Sequence, residues 1–120
     1  MKYALALLTL LIAAPAFAVD FTVSGQGIPT SAASPNSDQG KSLSAGSTLA
    51  TLIVIANTSN STQTVTINDC QTTPFYLFKA YPIPALTTWI LNLGQGLRFV
   101  GCLQWSASAT SVMGTISGAQ

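Results

Sequence analysis

Residues able to move a proton or hold an ion are few in this chain. Its 120 residues include no histidine and no glutamate, and only 6% are charged. The acids are Asp20, Asp38 and Asp69; beyond Lys2, the bases are Lys41, Lys79 and Arg98. Without imidazole there is no Ser-His-Asp or Cys-His unit and no histidine ligand for a metal. Three scattered aspartates offer no carboxylate pair for glycoside hydrolysis. Two cysteines fall short of the roughly four ligands of a zinc site. Gly25-Gln26-Gly27 and Gly94-Gln95-Gly96 lack the third glycine, or the Gly-Lys-Ser/Thr, of a phosphate-binding loop, so they read as turns. The chemistry expected from these residues is therefore that of a protein that is not an enzyme and carries no cofactor or metal.

Two other residue sets carry more information. Cys70 and Cys102 are the only cysteines, and in an oxidising compartment a single pair most simply forms one disulfide. Phe75, Tyr76, Phe78, Tyr81, Trp89 and Trp105 supply aromatic surface for a core or a contact face. Trp89 and Trp105 run in phase with leucines, which places them in the core. Tyr76 and Tyr81 lie on a segment that is apolar on both faces and are the candidate surface contacts, toward protein or glycan.

The N-terminus has the three parts of an export signal: Met1-Lys2, the apolar run Ala4 to Ala14, and Ala16-Phe17-Ala18 after Pro15. The run is about half of the roughly 20 residues that span a bilayer. Cleavage is expected after Ala18, giving a mature chain from Val19 to Gln120 in the periplasm, outside the cell, or on a virion or cell surface. Three acids then balance three bases. No basic surface can be assembled for nucleic acid, and nothing in the mature part is long and apolar enough for a membrane span. Solubility rests on Ser, Thr, Asn and Gln, and weak charge repulsion leaves self-association open.

The elements that must position these residues read as strands. Phe21-Thr22-Val23 alternates apolar and polar. Ser24 to Ser47 has no periodicity and carries glycines and prolines, as a long loop or flexible link does; residues 19–47 thus form an N-terminal strand and a flexible segment. The body, 48–120, opens with Leu49 to Ala56, aliphatic on both faces like a doubly covered strand. Asn57 to Ser61 is turn chemistry, and Gln63 to Asn68 alternates, so the two strands are expected to form a hairpin. Phe75 to Tyr81 is a strand ended by Pro82 and Pro84. Thr87 to Leu93 places Trp89, Leu91 and Leu93 on one face. Leu97, Phe99, Leu103 and Trp105 share a phase, with a bulge or close approach at Gly101; Val112 and Ile116 mark the last strand. The fold expected is all-β, a single small β-sandwich or jelly roll of about seven strands.

From about Thr48 to Ile116, the order IANTSNSTQTVTIND, PIPALTTWILNL, GQGLRFVGCLQW, SVMGTIS resembles small β-sandwich proteins among bacteriophage structural, head-fibre and decoration components. The resemblance implies a structural or attachment subunit of a virion or cell surface. The export signal and cysteine pair depart from it, since proteins assembled in the cytoplasm need no signal and rarely carry a disulfide. Two other roles fit the sequence: a fimbria-like subunit joined by its N-terminal strand, and a small glycan- or protein-binding module. Partners expected are further copies of itself, other surface or virion proteins, or a glycan.

Overall fold

A computed structural model describes residues 20–120; the expected signal and its cut after Ala18 lie outside them. Seven strands follow in chain order: β1 (Asp20–Gly27), β2 (Thr48–Asn57), β3 (Gln63–Asp69), β4 (Tyr76–Ile83), β5 (Thr88–Phe99), β6 (Leu103–Ala107) and β7 (Val112–Ala119). They form two antiparallel sheets, β1-β7-β2-β5 and β4-β3-β6. The alternation that predicted strands also fills the space between the sheets. Ile53 and Ile55 of β2, Val65 and Ile67 of β3, Leu103 and Trp105 of β6, and Val112 and Ile116 of β7 are buried at every second position.

Trp105 is the largest fully buried side chain. Its ring lies across Gly114 of β7, where a Cβ would strike it. The two sheets can approach there only because β7 has glycine at that position.

The topology departs from the sequence expectation in three places. β2 and β3 are not a hairpin; they lie in different sheets. The chain turns between them around Asn57, a buried residue whose side-chain amide donates to the carbonyls of Ser61 (2.8 Å), Ile83 (3.0 Å) and Pro84 (3.1 Å). Its Oδ1 accepts from the Ser59 N–H (3.0 Å) and hydroxyl (2.8 Å). Gly94-Gln95-Gly96 is not a turn but a bulge within β5. The register jumps from Asn92 opposite Leu52 to Leu97 opposite Ala50, and Gly94 and Gly96 hold the positive φ it requires. Finally, Phe99 and Leu103 share a phase but belong to different sheets, and Gly101 (φ 83°) sits in the crossing between them.

The segment between β1 and β2, expected as a flexible link, is fastened at both sides. Ile28, Pro35 and Leu43 are buried. Main-chain hydrogen bonds join Ala33 and Trp105 in both directions (3.1 and 3.0 Å), and the Ala107 and Leu103 N–H groups donate to Pro29 (2.9 Å) and Leu43 (3.1 Å) carbonyls. Buried apolar residues spaced by seven or eight positions carry no strand or helix period, so they read as loop although each is an anchor.

Candidate functional site

Cys70 and Cys102 are joined by a disulfide with Cα atoms 5.2 Å apart. Asp69 pairs with Leu103 at the last rung of β3–β6, so the cysteines stand opposite each other one step beyond it. Alternation continued from the flanking strands would set Cys70 in the phase of Thr64 and Thr66 and Cys102 in that of Arg98 and Gln104, both away from the core. Cys70 is exposed, but Cys102 is buried, because the crossing at Gly101 resets the phase. Beside the bridge, the buried Asp69 carboxylate accepts from the Phe75 N–H (2.8 Å), and Asp69 N–H donates to the Phe75 carbonyl (3.0 Å). The carboxylate thereby closes the loop that leads into β4.

Asp20 and Asp38 lie near β1, far in sequence from this loop. Asp38 Oδ1 accepts from the Ser24 N–H (3.1 Å), Gln39 Oε1 accepts from the Thr22 N–H (3.1 Å), and the Asp38 N–H donates to the Thr22 carbonyl (2.6 Å). These contacts occupy the outer side of β1. Asp38 and Asp69 both have structural tasks.

Aromatic residues gather where β4 lies over β5. Tyr81 stacks at 4.6 Å on Trp89 and 5.1 Å on Phe78, and Phe78 meets Trp89 at 5.5 Å. Trp89 is half-buried and packs against the core with Leu91 and Leu93, so its inward phase was read correctly although it closes the rim of the sandwich. Tyr76 and Tyr81 are 39% and 37% exposed, but they do not form one platform. Tyr81 belongs to the rim cluster, whereas Tyr76 carries Lys79 Nζ 5.1 Å from its ring centroid. Phe75 before β4, Leu86 between β4 and β5, and Ile90 of β5 are exposed too, Ile90 by 71%.

Ile90 and the edge it sits on were missed by sequence reasoning. An apolar residue in the polar phase of Thr88 and Asn92 was the available signal. Ile90 stands opposite Val54, and Leu52, Val54 and Ala56 face outward from β2, half-buried. Thus β2 is aliphatic on both faces, but only one face is covered by the second sheet among the described residues.

The arrangement offers apolar and aromatic contact area with an unpaired strand edge. Among the described residues, no helix is long and apolar enough to cross a membrane. No protein-family model matches the chain, and neither curated proteins nor solved structures gave a relative.

Proposed function

We propose that this chain is an exported, non-enzymatic structural or attachment subunit that works by surface contact on a virion or cell surface. The observation that carries this reading is the set of large apolar and aromatic side chains left exposed on and beside β4 and β5: Phe75, Tyr76, Tyr81, Leu86 and Ile90. Large apolar residues exposed on neighbouring elements mark an interaction site more often than single scattered ones do. The disulfide fits residence in an oxidising compartment, and the near absence of charge lowers the barrier to assembly.

Electron microscopy of the purified protein, and immunodetection on particles or envelopes from the producing cells, tests the reading. Regular assemblies or particle-bound protein are expected; a strictly monomeric protein absent from every particle and surface fraction would refute it. A glycan array run with Tyr76→Ala and Tyr81→Ala separates protein contact from sugar contact, since loss of a glycan signal in either variant would move the reading to a binding module. A fimbria-like exchange of the N-terminal strand is less favoured. β1 already pairs with β7 of its own chain and buries Phe21 and Val23.

A further inference from the structure

We propose that the unpaired edge of β5 is the joint between two copies of this chain, which pair antiparallel through Thr88–Asn92 to make one continuous sheet. The inference rests on the contact role proposed above and names its partner.

The four outer strands are treated differently. β1 has its outer main-chain groups taken by Asp38 and Gln39. β6 is covered by Pro29, Ala33 and Leu43. β4 is broken by a bulge that sets Lys79 and Ala80 opposite Thr66, with Ala80 at φ 49° and its N–H on Thr66 Oγ1 (3.0 Å), and it carries Pro82 and the Lys79 charge. Bulge, proline and lysine are the usual devices that stop strand edges from pairing. From Thr88 to Asn92, β5 has none of them: the ladder with β2 is regular and no residue is charged. Among the described residues nothing bonds its outer side.

The register identifies the groups on offer. Asn57 N–H donates to the Thr87 carbonyl at 2.9 Å, and in the β2–β5 register these residues stand opposite each other, one step beyond Ala56 and Thr88. Strand alternation then turns the main chain of Trp89 and Leu91 toward β2, and that of Thr88, Ile90 and Asn92 outward.

A second copy complements this edge better than a charged or unrelated strand. With a two-fold axis through Ile90, Ile90 faces Ile90 of the second copy, Thr88 faces Asn92, and Trp89 lies beside Leu91. Each pair joins residues on the same face, like meets like in polarity, and no charges oppose. The same patch serves both copies, as a closed two-fold dimer requires.

Sedimentation equilibrium of the wild type, Ile90→Lys and Ile90→Pro tests the joint. Lysine sets two charges face to face and should weaken the dimer about 100-fold or more. Proline removes an outward N–H, leaves the β2 ladder whole, and should weaken it about tenfold or more. Matching near-ultraviolet spectra and melting temperatures show that both variants fold. Ile90→Cys should give a covalent dimer on mild oxidation, because residues facing each other on an antiparallel pair lie about 5.5 Å apart. Thr88→Cys should not, since it faces Asn92. Oligomers that survive in the lysine and proline variants overturn the β5 joint but leave the contact role standing through another face. A wild type that stays monomeric at millimolar concentration also overturns the joint; the contact role falls as well only if the protein is absent from particles and surfaces.

Discussion

Asn57 shows how a single side chain can set a topology. Leaving one sheet for the other exposes carbonyls at Ser61, Ile83 and Pro84; the Asn57 amide donates to all three from inside the protein, joined at Ser61 by the Ser59 hydroxyl and at Pro84 by the Thr87 hydroxyl. Alanine would remove the amide from all three and leave the buried Ile83 carbonyl without this donor, at about 1–3 kcal/mol. Asn57→Asp keeps the shape but aims a carboxylate oxygen at carbonyl oxygens, so it is expected to destabilise at least as much as Asn57→Ala. Urea denaturation of both variants checks this, and an aspartate variant near wild-type stability would refute the donor role. Thr48 presents the reverse case. Its hydroxyl is buried and meets no protein partner, so Thr48→Val should stabilise by about 1 kcal/mol. A loss of stability in the same denaturation series would mean that the hydroxyl is satisfied in solution.

At the level of elements, alternation was enough to find the strands but not their partners. Val65 and Ile67, or Leu103 and Trp105, bury the faces that their spacing indicates, because period two follows from backbone geometry alone. Pairing follows from the whole chain. Consecutive strands usually neighbour each other, yet here only β3 and β4 do, so the Asn57–Ser61 turn signal read as a hairpin although it marks a change of sheet. Gly94 and Gly96 read as a turn for the same reason: positive φ is shared by turns and bulges. Tyr76 and Tyr81 were legible as exposed, but the β5 edge was not, because an edge exists only once strand order is known. Alternation alone gives no cause for the glycine at Gly114 inside β7. Its cause is the ring of Trp105, so Gly114→Ala should destabilise by about 1–3 kcal/mol through overpacking. Thermal unfolding measures this, and relief in a Gly114→Ala, Trp105→Phe double variant would localise the clash.

For the whole molecule, strand order places both ends of the described chain in one sheet, with Asp20 opposite Ala119. β7 enters last and lies between β1 and β2, so most of the sheet is closed by contacts remote in sequence, a topology that folds slowly. Cys70 and Cys102 act on this problem. The bridge spans a sequence separation of 32 and encloses β4 and β5, each an edge strand of a different sheet. Chain entropy assigns a loop of that length about 3–4 kcal/mol, nearly all of it through the unfolded state. Cys70→Ala with Cys102→Ala should therefore lower the melting temperature by roughly 15–25 °C. It should also raise the urea m-value, because the released chain exposes more surface when unfolded. A melting temperature lowered without a change in m would place the effect in the folded state, at the buried Cys102 side chain. Equal melting temperatures would mean that the rungs from Val65 to Asp69 hold β3 to β6 without the bridge.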